Sequence, residues 1–140
     1  MSIKISDFHV GTDAVVSVLK ISQQNGNKEQ LTDPIIVPVK KVGTKYVTID
    51  YGGDMRFSVP DWKEEPFYLT AVNEVWRYVL FRDMNGYKRL ANRIANIHEI
   101  QDLKNKLHIH FLDTLSDDQL DIILNAYRKI YLIEREKNNG

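Results

Sequence analysis

The sequence has no cysteine, little proline and no long apolar run. Its 140 residues include 4 prolines and 7 glycines. The absence of cysteine excludes a disulfide framework, a thiolate metal site and a cysteine nucleophile, and a reducing, intracellular setting is expected. No stretch approaches the roughly 18 apolar residues of a membrane-spanning helix, and residues 1–4 lead into polar sequence without the apolar core of a signal peptide. We therefore expect a chain that is neither secreted nor embedded in a membrane.

An excess of one charge is also missing. The chain carries 19 Lys and Arg against 19 Asp and Glu, and its sequence pI is near 6.9. Residues 1–60 hold a net charge of +1 and residues 61–140 one of −1. This balance excludes a global field that steers the protein toward nucleic acid or an anionic membrane, so only local patches remain as binding surfaces. The content of 43% hydrophobic and 27% charged residues is that of an ordinary folded domain.

The first half of the chain has the pattern of short strands. Val47, Ile49 and Tyr51 alternate with polar residues, which is the period of a half-buried strand, and Gly52-Gly53 is predicted to form a two-residue hairpin turn after it. Similar apolar runs separated by turn residues predict strands at 14–21, 35–42, 45–51, 55–59, 67–71 and 75–81, and residues 23–28 are predicted to form an exposed loop. Pro38 places the second strand at an edge or a bulge. Because short strands cannot bury a face singly, we expect a small antiparallel β-barrel or curled sheet over residues 1–82.

The second half changes to the period of helices. Asp83 is a candidate N-cap for a helix whose apolar positions recur every three or four residues from Tyr87 to Leu107. Farther on, Ser116 and Gln119 fit a capping box that starts a second amphipathic helix, with Leu115 and Leu120 placed for a hydrophobic staple. The apolar stripe of that helix comprises Leu120, Ile123, Leu124, Tyr127, Ile130 and Tyr131, and the tail 137–140 is expected to be disordered. These features predict an α+β fold in which two helices in residues 83–140 pack on the barrel as one compact domain.

Three segments of the chain resemble parts of a known class of proteins. They are residues 41–49 (KVGTKYVTI), residues 78–82 (YVLFR) leading into a helix, and residues 115–120 (LSDDQL). In this order they are similar to small "β-barrel plus helices" proteins encoded by phages, prophages and integrative elements of Gram-positive bacteria, over about residues 8–130. The first segment also resembles the turn of SH3-like and KOW barrels, which bind nucleic acid in some proteins and other proteins in many. The resemblance implies a protein that acts in the cytoplasm of a bacterial host.

The candidate metal and catalytic clusters are weak. His98, His108 and His110 are the one histidine group, but residues two apart point to opposite sides of a helix, and capping or exposed histidines explain them better. The acidic residues Asp113, Asp117, Asp118 and Asp121 could serve acid–base or two-metal chemistry, yet two of them fall where negative charge offsets a helix dipole. An exposed acidic face that contacts a basic partner is a third reading. We therefore predict no metal site.

The sequence contains no other motif that indicates an enzyme. The serines lack a nucleophile elbow or a triad, and Gly52-Gly53 lacks the Lys and Ser or Thr of a phosphate-binding loop. We therefore predict a non-enzymatic protein with no cofactor and no catalytic residue.

The segment 76–93 is the strongest candidate binding surface. It carries five Lys and Arg against Asp83 alone, with four aromatic residues interleaved. This mixture suits phosphate contacts and base stacking, and it is equally typical of protein–protein hot spots. The alternative is that the aromatic residues fill the core between barrel and helix while the cations lie on a solvated face. The predicted binding residues are Trp76, Arg77, Arg82, Tyr87, Lys88, Arg89 and Arg93.

Two functions follow as expectations. The first is a non-enzymatic phage or mobile-element interaction protein that binds and inhibits a host protein or ribonucleoprotein complex, with a CRISPR effector nuclease as the concrete case. The alternative is a nucleic-acid-binding barrel that uses the 77–93 surface together with Lys40, Lys41 and Lys45. The sequence predicts neither the target nor the oligomeric state.

Overall fold

The computed structural model of the protein describes residues 2–22 and 28–139, and it has the predicted α+β fold. Within these residues a closed six-stranded antiparallel barrel with one additional strand precedes three α-helices. The strands are β1 (Asp13–Ser22), β2 (Lys28–Leu31), β3 (Ile35–Val42), β4 (Val47–Asp50), β5 (Asp54–Ser58), β6 (Leu69–Ala71) and β7 (Tyr78–Phe81). The helices are α1 (Met84–Lys106), α2 (Ile109–Leu112) and α3 (Asp117–Asn139). The chain forms two compact units, Met1–His98 and Glu99–Gly140.

The barrel strands follow one another around the sheet in chain order. From β3 to β7 each strand pairs antiparallel with the next, and β1 closes the barrel by pairing with both β3 and β7. The far half of β1 extends beyond the barrel, where Leu19–Ser22 pair with β2. In β3, a register shift between Val39 and Lys41 follows Pro38, which is the bulge that the proline predicts.

The alternation of side chains creates two apolar layers. Residues that face the barrel interior include Val16, Val37, Ile49, Phe57 and Leu80, and Phe57 and Ile49 are wholly buried. The opposite face of β1 and β7 is also apolar, so this side of the barrel needs a cover. The first half of α1 provides it. Val15, Leu19, Tyr68, Val79, Phe81, Leu90 and Ile94 form the layer between the sheet and the helix.

The start of α1 is fixed by a cap and by a close approach. The Gly86 backbone N–H donates to Asp83 Oδ1 over 3.1 Å, which confirms Asp83 as the N-cap. A Cβ at Gly86 would lie 3.2 Å from two atoms of the Phe81 side chain. Glycine therefore lets the first turn of α1 sit directly against the barrel.

Several predicted boundaries are wrong. The strand predicted at 75–81 begins at Tyr78, because the chain bends through 72–77, where Asn73 has φ 61° and Val75 is 96% exposed. The strand predicted at 67–71 begins at Leu69. The short strand β2 and a 3-10 turn at Ile5–Asp7 have no apolar periodicity and were not predicted. The predicted loop 23–28 lies outside the described residues except for Lys28, which is in β2.

The helical unit contains the end of α1, the short α2 and the long α3. The helix predicted up to Leu107 ends at Lys106, and α2 was not predicted. Reciprocal bonds between Ser116 and Gln119, 2.9 and 3.2 Å long, confirm the predicted capping box at the start of α3. The helix continues to Asn139, so the prediction of a disordered tail is wrong for residues 137–139, and Gly140 lies outside the described residues.

Candidate interaction surfaces

The predicted binding residues fall into separate groups, of which the largest is a row of arginines in the first unit. Arg82 follows β7, and Arg89 and Arg93 lie one turn apart on α1. The Arg89 guanidinium carbon lies 4.0 Å from the centroid of the Phe67 ring. Arg82 and Phe67 both line an open groove of ≈ 330 Å³. We call Arg82, Arg89 and Arg93 the arginine row.

Within residues 2–22 and 28–139 the cations of the arginine row form no ion pair, although Asp7 and Asp83 line the same groove as Arg82. All three side chains of the row are exposed. A cation–π contact holds the Arg89 guanidinium over the face of the Phe67 ring. The row is thus free to contact carboxylates or phosphates of another molecule.

Trp76 and Arg77 form a second, smaller group at the other end of β7. Trp76 is 59% exposed, with Lys20 Nζ 5.8 Å from its ring centroid. Arg77 Nη1 lies 3.4 Å from Glu29 Oε1, and its backbone carbonyl accepts the Leu19 N–H. Because β7 separates Arg77 from Arg82 by five residues, the two groups are roughly 16 Å apart along the strand.

Two of the predicted residues do not join either group. Lys88 is exposed, but it lies roughly 100° around α1 from Arg89 and so on a different face. Tyr87 is half-buried: its ring packs edge-on against Phe81 at 5.9 Å, and its hydroxyl donates to the Thr32 carbonyl over 3.1 Å. Burial, and secondly the charge of Asp33, raise the pKa of the Tyr87 phenol. Tyr87 therefore belongs to the packing of the helix on the barrel.

The sequence prediction missed two contributors to these groups. Phe67 was assigned to a strand, and Lys20 to the end of another. Neither lies within the segment 76–93. Lys20 comes near Trp76 through the pairing of β1 with β7, and Phe67 comes near Arg89 through the segment before β6.

The lysines of the alternative nucleic-acid surface lie elsewhere on the barrel. Lys40 and Lys41 belong to β3, whose sheet neighbours are β1 and β4, and Lys45 lies in the turn before β4. Lys40 donates to Asp54 Oδ1 over 2.6 Å, and this hydrogen bond is the main cause of its raised pKa. Its charge is therefore already paired, unlike the charges of the arginine row.

The histidine and aspartate clusters have local roles. Among the described residues there is no group of three His, Cys, Asp or Glu side chains placed to bind one metal ion. His108 is the N-cap of α2, since its Nδ1 accepts the Phe111 N–H over 3.2 Å. Asp117 and Asp118 lie in the first turn of α3, where they offset the positive end of the helix dipole.

The helical unit has a different surface, which is apolar. No described side chain of α3 is buried. Leu103, Leu107, Phe111 and Ile123 line an open groove of ≈ 580 Å³. A second apolar set on α3, spaced by four, three and four residues, consists of Leu120, Leu124, Tyr127 and Tyr131, and all four are exposed. We call these four residues the α3 seam.

Comparisons with known proteins give no relative: no protein family, no curated protein and no solved structure matches the chain. In the part of the chain that the structure describes, no helix has both the length and the apolar character needed to cross a membrane.

Proposed function

We propose that the protein is a non-enzymatic interaction protein of a phage or mobile element, which binds a host protein or ribonucleoprotein complex in the bacterial cytoplasm and blocks it. A CRISPR effector nuclease is the concrete target. The observation that carries the proposal is the arginine row beside the Phe67 ring, whose three exposed cations form no ion pair with any residue that the structure describes. The link to phages and mobile elements rests on the sequence resemblance.

The arginine row suits a short-range docking contact. A guanidinium that stacks on an aromatic ring loses less side-chain freedom on binding than a free one, which lowers the entropic cost of a complex. Arg presents a fork of donors that matches a carboxylate or a phosphate. With a net charge of zero there is little long-range attraction, so affinity has to come from such contacts and from apolar anchors. Trp76, 59% exposed, is the candidate second anchor.

A nucleic-acid-binding barrel is the second candidate, and the unpaired cations of the row favour it as well. Phosphates would neutralise Arg82, Arg89 and Arg93, and an exposed Trp76 could stack on a base. The two candidates differ in their dependence on salt. Binding to nucleic acid releases condensed counterions, so its affinity falls steeply as salt rises, whereas a docking contact built on desolvated anchors depends on salt less.

The test uses affinity capture followed by binding to a purified target. Tagged protein is used to capture partners from a lysate of a Gram-positive host, with and without nuclease treatment. It is then titrated against purified CRISPR effector ribonucleoproteins and against bare DNA and RNA at physiological salt. We expect a nuclease-resistant protein partner, inhibition of target cleavage and no gel shift of bare nucleic acid.

Charge-reversal variants test whether the arginine row is the surface that binds the target. Arg89→Glu/Arg93→Glu should weaken target binding by at least about tenfold, because two attractive contacts become repulsive. Lys104→Glu is a single-reversal control, since it reverses one exposed charge on the same helix away from the row, and it should bind as the wild type does. Micromolar or tighter, salt-sensitive binding of bare nucleic acid would favour the alternative. Equal binding by the double variant and the control would reject the row as the site.

A further inference from the structure

The helix α3 lacks the apolar contacts that normally stabilise a helix in a folded protein. It is 23 residues long, and none of its described side chains is buried. Most helices in proteins derive their stability from packing an amphipathic face, and a small unit of about 40 residues rarely buries a sufficient core alone. The apolar side chains of α3 therefore need a cover.

The apolar surface of α3 is wide enough to face two neighbours. Ile123, Ile130 and Ile133 lie on one side, and Ile123 faces the groove that α1 and α2 line within the same unit. The α3 seam lies roughly 110° farther around the helix. Its exposed fractions rise from 37% at Leu120 to 66% at Tyr131. Two apolar sides are typical of a helix in a bundle, in which one side packs within the chain and the other on a partner.

The charges beside the seam identify the partner. Asp117, Asp121, Arg128 and Arg135 all lie within a narrow strip on one flank of the seam, between roughly 50° and 90° from its centre. In chain order they are acidic, acidic, basic, basic. An antiparallel copy of the same helix presents this strip in reverse, so each acidic residue meets a basic one. In a parallel pair this strip would face the opposite flank of the partner helix, so its acidic and basic residues would not meet each other.

The same alignment also pairs the apolar residues. A two-fold axis that crosses the helix pair between residues 125 and 126 places Leu120 opposite Tyr131 of the other copy, and Leu124 opposite its Tyr127. It brings Asp121 near Arg128 and Asp117 near Arg135 of the other copy. The four side chains of the α3 seam present on the order of 400 Å² at about 200 Å² each, and the charged strip beside them has to supply the rest of the roughly 800 Å² per partner of a standard interface.

We propose that α3 pairs antiparallel with α3 of a second copy of this chain through the α3 seam, so that two helical units form one bundle. The resulting dimer is isologous, with the two-fold axis crossing the middle of α3. This inference does not depend on the proposed function, and the arginine row lies in the other unit.

The first experiment measures mass. Light scattering after size-exclusion chromatography of the full chain should give twice the chain mass of 16.3 kDa at about 100 μM, a concentration at which an interface with a Kd near 1 μM is mostly associated. Arg128→Asp/Arg135→Asp should weaken the dimer by at least about tenfold, because it leaves four acidic residues in each strip. Circular dichroism checks that the variant stays helical. A monomer for the wild type, or an unweakened dimer for the charge variant, would overturn the proposal.

The second experiment tests the relative orientation of the two α3 helices by disulfide cross-linking. Because the chain has no native cysteine, only the introduced cysteines can react. Under oxidising conditions, an equimolar mixture of Leu120→Cys and Tyr131→Cys should form a mixed disulfide dimer. Leu120→Cys alone should not, because an antiparallel pair separates the two Leu120 positions by 11 residues, or roughly 16 Å. Efficient cross-linking of Leu120→Cys with itself would indicate a parallel pair and refute the proposal. A set of four substitutions, Asp117→Arg, Asp121→Arg, Arg128→Asp and Arg135→Asp, should restore the dimer.

Discussion

Removing two hydrogen-bond donors from the Thr32 carbonyl should destabilise the first unit by more than the sum of the single changes. This carbonyl accepts the Ser17 hydroxyl over 2.8 Å and the Tyr87 hydroxyl over 3.1 Å. Thr32 Oγ1 in turn accepts the Val18 N–H over 2.9 Å. The cluster joins β1, the segment after β2, and α1. Each donor covers the same acceptor, so the loss of one leaves the other in place.

The magnitudes follow from that redundancy. Ser17→Ala and Tyr87→Phe should each cost about 1 kcal/mol, the net value of an ordinary hydrogen bond. The double variant leaves a part-buried carbonyl without a donor from either side chain, and an unsatisfied group of this kind costs about 1–3 kcal/mol. The double variant should therefore be destabilised by about 3–5 kcal/mol, at least about 1 kcal/mol beyond the sum of the single changes.

The assay is urea unfolding followed by circular dichroism at neutral pH, analysed as a double-mutant cycle. Tyr46→Phe supplies the matched control, because the Tyr46 side chain contacts Arg56 on another part of the barrel. Combined with Ser17→Ala, it should give additive costs. Additive costs for Ser17→Ala with Tyr87→Phe would show that the two hydroxyls do not share the Thr32 carbonyl, and would refute the reasoning.

Four further outcomes are expected. Phe57→Ala should cost about 3–5 kcal/mol in urea unfolding, because the ring is wholly buried inside the barrel; a cost below about 1 kcal/mol would contradict this core. Ser116→Ala should cost about 1 kcal/mol and lower the helical signal, while Ser6→Ala, which has no cap to lose, should not. The pKa of Tyr87 is raised in the folded protein, so the stability that the neutral phenol contributes is present below its ordinary pKa of 10.0. This stability is lost as the pH rises through the higher folded-state pKa. Tyr87→Phe should therefore lose less stability above pH 10 than the wild type. Chelator treatment should leave the melting temperature unchanged, and a loss that zinc alone restores would reveal a metal site.

The barrel could be predicted from sequence because each strand carries its own evidence. Val47 and Ile49 alternate with polar residues, and the glycine pair lies in the hairpin turn that follows, so local pattern and global fold agree there. The predicted turn length of two residues is wrong, because Asp50 pairs with Asp54 and the turn comprises residues 51–53. The strand start at Tyr78 could not be read in this way. Val75 and Trp76 are as apolar and β-favouring as true strand residues, and only the positive φ of Asn73 shows that the chain is still turning there.

The candidate site was only partly predictable, because residues that are close in sequence can lie on different faces of a helix or strand. Arg89 and Lys88 are adjacent in the chain, but on a helix they point roughly 100° apart. Tyr87 looks like a binding residue in sequence and is instead part of the layer on the barrel. Phe67 became a neighbour of the arginine row only through the folding of β6 beside β7.

The apolar positions of α1 explain why the two units have such different surfaces. In sequence they form one continuous series, which predicts one buried stripe. Only Leu90 and Ile94 are buried, while Ile100 and Leu103 are 63% and 51% exposed. At 100° per residue, Leu103 lies roughly 140° around the helix from Leu90. The apolar residues of the second half of α1 recur every three residues, so they lie progressively farther from the face that covers the barrel. The apolar residues beyond Ile97 therefore belong to the helical unit, where no described side chain of α3 is fully buried. Exposed apolar side chains flanked by a self-complementary order of charges are the features that an antiparallel pairing of α3 with a second copy of the chain would use.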